Sequence, residues 1–382
     1  MTRPTLVIFL GGLSGSLVEE TVGGARRAAA LDSIEAALSS AAFEGAILAI
    51  DEPLPDAEIP GLVIDPDDGP FQFGARLSSL ITRYHLQSVV YVGGGSVPLF
   101  GSADFAALAA NMQAHPQRVL TNNSFSSDLV GVPVAANALD AIQALDRDNS
   151  MARALEERAG LTIDELPRTV ATQVDIDGPS DLTILALTGQ GGPRLKAYLS
   201  ALEPDLSRYE RVLPLFVNRL AQIVVAGRVG SHAWQYLERE TACRVRLFAE
   251  ERGLEAEGRA AAARSLIGFL IEAEGVQRFF DVLPQLGDAA FIDTRVLLAH
   301  MRIEATRPDR FLSDLGAWRD ISDPFLRDFT RAAAEVRIPV LLGGHSLMSG
   351  GLMALNEYAW RRHEGASFSP RTEKSGEHTL GG

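Results

Sequence analysis

Hydrophobic residues in the first half of the chain form short continuous runs, separated by segments with helical spacing. Several runs are too apolar to have a solvated face, which is typical of strands in a parallel sheet covered by helices. The predicted strands are Thr5 to Leu10, Ala46 to Ile50, Gly61 to Ile64, Ser88 to Val92, Arg118 to Leu120 and Thr169 to Val174. The predicted helices are Ala28 to Ala42, Phe73 to Tyr84, Ala103 to Ala114 and Leu139 to Ala159. This alternation predicts an α/β three-layer sandwich with a mostly parallel sheet over residues 1–190.

The second half has a different pattern. Thr188 to Arg194 is polar and glycine-rich, which predicts a linker. Beyond it, apolar residues recur every three or four positions, so we expect a mainly α-helical domain over residues 195–363. Its predicted elements are helices at Leu195 to Leu202, Val212 to Ala226, Ala233 to Glu251, Glu255 to Glu274, Phe325 to Ala334 and Leu347 to Arg362, with one strand at Ile338 to Leu342. Residues 364–382 are rich in glycine, serine and charge, which predicts a disordered tail.

Composition narrows the class of partner. The 382 residues are 46% hydrophobic and carry a formal net charge of −14, without a basic block. This charge argues against nucleic acid or an anionic membrane as the principal partner. Cys243 is the single cysteine, so no intrachain disulfide is possible. No signal-type or membrane-spanning apolar run occurs, and we expect a cytoplasmic protein.

The most informative segment for chemistry is VDIDGPSDL, from Val174 to Leu182. Asp175 and Asp177 are two apart in a segment that the pattern predicts as a strand, so both side chains should leave the same face. Gly178 and Pro179 then end the strand and begin a helix. Two carboxylates beside a helix start indicate a site for a metal-bound phosphate. A capping and solvating role for these acids is the alternative.

Two glycine-rich segments follow predicted strands. The first is TLVIFLGGLSGS, in which the loop residues are Gly11, Gly12, Ser14, Gly15 and Ser16. Glycines there let the backbone approach a phosphate while its amides donate hydrogen bonds; an ordinary strand-to-helix loop is the alternative. The second is SVVYVGGGSVPLF, in which Gly94 and Gly95 allow a ligand or another backbone to come very close.

The order and spacing of these three segments resemble the nucleotidyltransferases with a GT-A-like fold. Examples are the molybdenum-cofactor cytidylyl- and guanylyltransferases and the phospholactate guanylyltransferases. VDIDGPSDL corresponds to their DxDTPEDL-like signature, and the likeness spans residues 5–187. The resemblance implies transfer of a nucleotidyl group from a nucleoside triphosphate to a phosphorylated small molecule. It also implies Mg²⁺ bound by Asp175 and Asp177, with Asp177 among the catalytic residues.

The chain departs from this family at two positions. The family's loop continues to an arginine and then a lysine, but here the first lysine is Lys196. Arg26 and Arg27 are the substitutes that we expect to grip the phosphates, unless they are a solvated pair. Where the family has a magnesium-binding aspartate, this chain has Ser96, and a hydroxyl is a weaker ligand for this cation.

Further candidate residues follow other predicted strands. Asn122 and Asn123 suit contacts with a nucleobase or sugar, with Asx turns as the alternative. In the second half, GGHSLMSGG places His345 and Ser346 after a strand, and His232 and Arg295 occur in two further polar segments. We expect these four residues to form a second-domain site that shares the cleft of the first domain.

Two other functions fit the same pattern. One is a nucleotide-binding or regulatory protein that has lost catalysis, which the missing lysine and aspartate favour. The other is a glycosyltransferase that uses a nucleotide sugar, because it would need the same fold and carboxylate pair.

Overall fold

The computed structural model describes residues 2–51, 54, 58–67, 69–250 and 262–364. The predicted tail beyond Glu364 and the start of the helix predicted from Glu255 lie outside the described residues. The strands are β1 Thr5–Leu10, β2 Gly45–Ile50, β3 Leu62–Pro66, β4 Val89–Gly93, β5 Arg118–Thr121, β6 Leu129–Val132, β7 Thr162–Glu165, β8 Gln222–Gly227, β9 Arg244–Ala249, β10 Ala289–Asp293 and β11 Val340–Gly343.

The α-helices surround two sheets. They are α1 Leu17–Ser39, α2 Phe73–Arg83, α3 Ser102–Ala114, α4 Leu139–Gln143, α5 Met151–Ala159, α6 Val170–Gln173, α7 Pro179–Thr188, α8 Pro193–Leu202, α9 Ser207–Phe216, α10 Ser231–Glu240, α11 Leu266–Glu274, α12 Val276–Val282, α13 Thr294–Met301, α14 Arg307–Leu315, α15 Pro324–Glu335 and α16 Leu352–Glu364. Among the described residues, no helix combines the length and apolarity that crossing a bilayer requires.

The first half contains a seven-stranded sheet in the order β3-β2-β1-β4-β6-β5-β7. The strands pair in parallel except β6, which runs antiparallel to both β4 and β5. Leu6 and Ile8 of β1 belong to the core on one face of this sheet, and Val7 belongs to the core on the other face. Helices cover both faces, so the predicted three-layer α/β sandwich is confirmed.

In this half the sequence prediction gave one wrong strand, missed two strands and joined two helices into one. The segment predicted as a strand at Thr169 to Val174 is the short helix α6, which begins when Thr169 N–H donates to the Thr172 hydroxyl at 2.9 Å. The strands β6 and β7 escaped prediction because LVGV follows a polar run and TIDE has no apolar run. The helix predicted from Leu139 to Ala159 divides into α4 and α5. Asp148, which lies between them, accepts a hydrogen bond from Tyr91 at 2.8 Å.

The second half is also an α/β unit. Helices supply most of its ordered residues, but β8 to β11 form a parallel sheet in the order β11-β10-β8-β9. The helices predicted at Val212 to Ala226 and Ala233 to Glu251 each run into a strand, and β10 was not predicted. The sequences IVVAG and AAFID are short, continuously apolar and buried, and periodicity alone does not distinguish such runs from helix.

The strand order places a topological switch point between β8 and β10. From β8 the chain continues to β9 on one side, and it later returns to β10 on the other. The connections after β8 and β10 therefore leave in opposite directions beyond Gly227 and Asp293. Open parallel sheets commonly bind ligands at such a switch point.

The two halves share one hydrophobic core. It includes Val22 and Ile176 of the first half and Phe216, Phe291 and Leu352 of the second, all fully buried. The predicted linker does not act as a free spacer, because it is only the short turn between α7 and α8. The Asp32 carboxylate accepts from the amides of Arg194 and Leu195 at 3.0 and 2.9 Å, which fixes the start of α8 against α1.

We predict that the halves unfold in one cooperative transition. Phe291→Ala and Ile176→Ala lie in different halves but open the same core, and each should lower the free energy of unfolding by about 2–5 kcal/mol. Calorimetry should show a single peak that moves for both variants. The exposed Leu220→Ala should change stability by less than about 0.5 kcal/mol. Two separate transitions, of which only one moves in each variant, would contradict the shared core.

Candidate functional site

Three loops meet at the carboxyl edge of the seven-stranded sheet. Ile176 N–H donates to the Gly95 carbonyl at 2.9 Å, and Asp175 forms an isolated bridge with Ser96. On the other side, Gly93 N–H donates to the Asp128 carbonyl at 2.9 Å. The structure therefore brings together the GGGS turn and the carboxylate segment that the sequence singled out.

Gly94 and Gly95 make room for the protein's own backbone. A Cβ atom on Gly94 would lie 2.7 Å from the Phe9 carbonyl oxygen, and one on Gly95 would lie 2.7 Å from the Ile176 carbonyl oxygen. Of the two groups that the sequence allowed beside these glycines, a ligand or another backbone, the structure shows backbone. The same turn holds the buried Val97 at φ 43°, a conformation that costs a β-branched residue about 1–3 kcal/mol and that clusters at functional sites.

The carboxylates Asp128, Asp175 and Asp177 are crowded at this edge. Asp175 and Asp177 lie in an irregular extended segment, not in the expected strand. Burial, then Asp177 and then Asp128 raise the pKa of Asp175 well above its usual value. Burial, then Asp177 and Asp148 raise the pKa of Asp128 to about 8. Repulsion between carboxylates therefore adds to burial in making the charged forms unfavourable.

Arg26 faces this cluster from α1. Its Nε donates to the Ile176 carbonyl at 2.9 Å, and its Nη2 lies 3.9 Å from a carboxylate oxygen of Asp177, whose side chain is 49% exposed. The structure therefore places Arg26 beside Asp177. Arg26 lowers the pKa of both Asp128 and Asp175, but burial and the neighbouring carboxylates outweigh it.

Helix α7 begins at Pro179, as the sequence predicted, and Asp181 caps it. One Asp181 carboxylate oxygen accepts from the amides of Asp177 and Gly178 at 2.9 and 2.8 Å. The other accepts from the Ser346 hydroxyl of the second half at 2.6 Å. The capping alternative thus applies to Asp181. The Asp175 carboxylate also accepts a local hydrogen bond, from Ile176 N–H at 2.8 Å, while the Asp177 carboxylate lies near Arg26. Burial and then Asp177 raise the pKa of Asp181 to about 7.

The loop from Gly11 to Ser16 connects β1 to α1. Gly12 and Gly15 have φ values of 75° and 120°, which glycine adopts easily, and the Ser16 hydroxyl caps α1. Gly12 N–H donates to the Asp51 carboxylate at 2.8 Å. A small cavity beside this loop is lined by Gly11, Gly12, Leu13, Gly23, Arg26, Arg27 and Asp51. Both predicted arginines therefore border it, whereas Ser14 and Ser16 are not among its lining residues.

Arg307 is a residue of this region that the sequence did not reveal. It begins α14 in the second half, and its Nη1 donates to the Gly12 carbonyl. The same atom lies 3.7 Å from a carboxylate oxygen of Glu19. The two partners are 295 positions apart, so no local pattern could have indicated the contact.

Asn122 and Asn123 shape the loop that presents Asp128. Asn122 is buried; its side-chain oxygen accepts from the amides of Asp128 and Leu129, and its amide group donates to the Thr172 carbonyl at 3.3 Å. The Asn123 side-chain oxygen accepts from Phe125 N–H at 3.1 Å. Both residues were expected to contact a nucleobase or sugar. For Asn122 this expectation was wrong, because its side-chain polar atoms form hydrogen bonds with the protein backbone. The turn alternative describes these residues better.

The four predicted residues of the second half divide into two pairs. Arg295 forms an ion pair with the buried Asp314, with Nη2 2.6 Å from a carboxylate oxygen, and Ser346 binds Asp181. These contacts hold the protein together, so the ligand role expected for Arg295 and Ser346 is corrected. His232 and His345 instead line a cleft that also includes Gln173 of the first half. Residues of both halves line this cleft, but it is separate from the cavity beside the Gly11 to Ser16 loop, with which it has no lining residue in common.

Among the described residues, no group of three or more His, Cys, Asp or Glu side chains is placed so that together they could hold a metal ion. A cation at the acidic cluster would therefore need ligands from outside the protein in addition to one or two carboxylates. Mg²⁺ commonly binds in that way, through carboxylates and substrate phosphates.

No protein-family model matches the chain, and no curated protein sequence matches it. Among the solved structures that are similar to part of this chain are the following three. A protein of Desulfovibrio desulfuricans G20, named as a nucleotide-diphospho-sugar transferase, is 14% identical, with 53% of this chain and 95% of that chain covered and a TM-score of 0.39. HddC from Yersinia pseudotuberculosis is 11% identical. The likeness covers 47% of this chain and 96% of HddC, with a TM-score of 0.33. A CMP:2-keto-3-deoxy-manno-octonic acid synthetase complexed with CTP is 14% identical. The likeness covers 43% of this chain and 89% of the synthetase, with a TM-score of 0.31. At these identities and TM-scores, the likenesses assign no family and no function to this chain.

The raised pKa values predict that stability falls as the pH rises from about 5 to 8 in the absence of a divalent cation. In this range the unfolded state has lost protons that the folded state keeps, since the pKa of Asp128 rises from 3.8 to about 8 on folding. Further deprotonation therefore costs stability. Thermal unfolding across this range should show a falling Tm.

The variant Asp128→Asn isolates this effect. It should raise the Tm at pH 8, by the equivalent of at least about 1 kcal/mol, and change it much less at pH 5. Asp164→Asn, at an exposed carboxylate opposite Arg118, is the matched control and should leave the pH profile unchanged. A wild-type Tm that rises towards pH 8 would refute the account of the cluster.

Proposed function

We propose that this protein transfers a nucleotidyl group from a nucleoside triphosphate to a phosphorylated small molecule, with Mg²⁺ as cofactor. The observation that carries the proposal is the crowding of Asp128, Asp175 and Asp177 at the carboxyl edge of a mostly parallel sheet. Carboxylates held together against their own repulsion favour a divalent cation, which removes that repulsion. This edge is also where such folds commonly bind ligands.

The residues present fit a magnesium–polyphosphate complex. Asp175 and Asp177 would hold the metal, and phosphate oxygens of the substrate would complete its shell. Ser96 brings no charge to the site, but it lies beside Asp175 in the isolated bridge. Asp128, in the loop before β6, would supply a third negative charge once a bound cation displaces its proton. The charge of Asp128 would replace the charge of the aspartate that the resembled family has at the position of Ser96.

The triphosphate would lie against the loop from Gly11 to Ser16. Arg26 and Arg27 border the adjoining cavity, and Arg307 reaches the same loop from the second half. Three guanidinium groups in this region compensate for the missing lysine, since arginine binds phosphate with several directed donors.

In the proposed reaction, a phosphate oxygen of the acceptor attacks the α-phosphorus. A new P–O bond forms as the bond to the β-phosphate oxygen breaks, and pyrophosphate leaves with the electron pair. The metal, when bound, stabilises the negative charge on the phosphates. The protein's part is to align acceptor and α-phosphate and to place Arg26 and the loop amides near the charge that develops.

A nucleotide-binding protein without turnover is the second candidate. Ser96, which offers a hydroxyl where the resembled family has a carboxylate, favours it. Pyrophosphate release during incubation with each nucleoside triphosphate and a set of phosphorylated acceptors separates the two. Release supports the transferase, and binding without release under all these conditions supports the binder.

We predict that nucleotide raises the Tm only when Mg²⁺ or Mn²⁺ is present, because a ligand that binds the folded state stabilises it by mass action. Thermal shift should be measured with nucleoside triphosphates and nucleotide sugars. Asp177→Asn should abolish the dependence on metal without unfolding the protein, and Asp164→Asn should behave as the wild type. If no nucleotide shifts the Tm with either metal, the proposed function falls.

We also predict that Arg307→Ala weakens nucleoside triphosphate binding about tenfold or more, because a charge-assisted hydrogen bond contributes about 1.5–3 kcal/mol. Nucleoside monophosphate binding should change less, since the monophosphate lacks the outer phosphates. Arg331→Ala, at an exposed arginine paired with Asp328, is the control. Equal weakening for triphosphate and monophosphate would assign Arg307 a structural role only.

A further inference from the structure

A second, smaller cleft lies between the two halves. It is lined by Asn123, Arg168 and Gln173 of the first half and by His232, His345 and Ser349 of the second. On the second half it borders the segments that follow β8 and β11, next to the topological switch point. The cleft therefore occupies a position where parallel sheets bind ligands, although the proposed nucleotidyl transfer at the acidic cluster does not use it.

The lining of the cleft favours an anion. Arg168 contributes a guanidinium group that is 22% exposed and is held by Glu165 at 3.0 Å. His232 lies in the first turn of α10, and the N-cap residue Gly230 is also at the cleft, so the positive end of the helix dipole faces it. The lining residues that the structure describes include no carboxylate, in a chain whose formal net charge is −14.

The cleft is built from constrained parts. His345 Nδ1 donates to the Arg228 carbonyl at 3.1 Å, which fixes the orientation of the imidazole ring. Ser349 lies in a π-helical turn, Leu347–Gly351. Such turns are rare in proteins overall, but many of those that occur are at functional sites. A Cβ atom on Gly350 would lie 2.3 Å from the Gln173 carbonyl oxygen, so this turn can approach the first half only because it carries glycine there.

A chain of hydrogen bonds connects this cleft to the acidic cluster. The Gln173 side-chain amide donates to the Asn122 carbonyl at 3.4 Å, and the Asn122 side chain in turn holds the amide of Asp128. Gln173, which lines the cleft, is also two positions before Asp175, so the cleft adjoins the segments that carry Asp128 and Asp175. We propose that this cleft binds the phosphate group of the small-molecule acceptor. The identification as acceptor rests on the proposed function, whereas the binding of phosphate does not.

The test uses inorganic phosphate as the probe and the full chain as the protein. The imidazole nitrogens are followed by long-range ¹H–¹⁵N NMR during a phosphate titration, and His232→Asn and His345→Asn assign the two signals. We expect saturable shifts at both rings and no shift at the exposed His85. Each variant should bind phosphate about tenfold or more weakly. Absence of saturable shifts, shifts of equal size at His85, or unchanged affinity in both variants would overturn the proposal.

Three controls separate this site from the nucleotide site. His85→Asn has the same chemical change at a left-handed position that asparagine tolerates, and it should not alter phosphate binding. Arg307→Ala should leave the shifts of His232 and His345 intact; their loss in this variant would place the phosphate at the loop and refute the cleft. His232→Asn should keep the metal-dependent Tm shift with nucleotide. If phosphate shifts the imidazole signals of the wild type but no nucleotide shifts its Tm, the anion site is supported and the transferase function is rejected. If nucleotide shifts the Tm but phosphate does not shift the imidazole signals, only the anion site is rejected.

Discussion

Repulsion among Asp128, Asp175 and Asp177 is the constraint around which the candidate site is arranged. Each carboxylate comes from a segment that the rest of the fold holds in place. Asp128 is presented by a loop that the buried Asn122 shapes, and Asp175 is fixed by its bridge to Ser96. The single salt bridge described for Asp177, to Arg26, is long at 3.9 Å. Holding carboxylates close together lowers the stability of the folded protein. Such an arrangement is typical of a site that binds a cation when it functions.

The second half makes this arrangement possible. Its hydrophobic residues complete the core beneath Ile176, and Ser346 donates to the Asp181 carboxylate that caps α7. The start of α7 therefore depends on both halves, and with it the position of the neighbouring Asp177. Arg307 reaches the loop after β1 from the same half. The second half is thus a structural partner of the candidate site, and its own sheet directs its carboxyl edge to the same interface.

The sequence predicted the first sheet well where strands were continuously apolar, as in β1, β2 and β4. It failed where burial came from context. The strand β7 has a polar sequence at the edge of the sheet, and β8 and β10 are short apolar runs that fit helix and strand equally. A strand was predicted at α6 from the pattern of short runs, but the capping residue Thr169 begins a helix there.

The sequence predicted only part of the candidate site, because contacts that depend on tertiary packing do not appear in local patterns. Asp175, Asp177 and Arg26 stand in or near recognisable segments, whereas Asp128 and Arg307 join the site only through tertiary packing. Local patterns also do not reveal whether a polar side chain is already bound within the protein, as Asn122 and Arg295 are. Glycine was correctly identified as a sign of close approach at Gly94 and Gly95, but the approaching group is backbone and not a ligand.

The central claim is that the crowded carboxylates exist to hold a divalent cation together with a nucleotide's phosphates. Anomalous diffraction from crystals grown with Mn²⁺ and a non-hydrolysable nucleoside triphosphate tests it most directly. The account predicts a manganese peak between Asp175 and Asp177, about 2.0–2.4 Å from carboxylate oxygens, with phosphate oxygens completing the shell. A bound nucleotide whose phosphates lie away from these residues, or manganese bound elsewhere with the cluster empty, would contradict it.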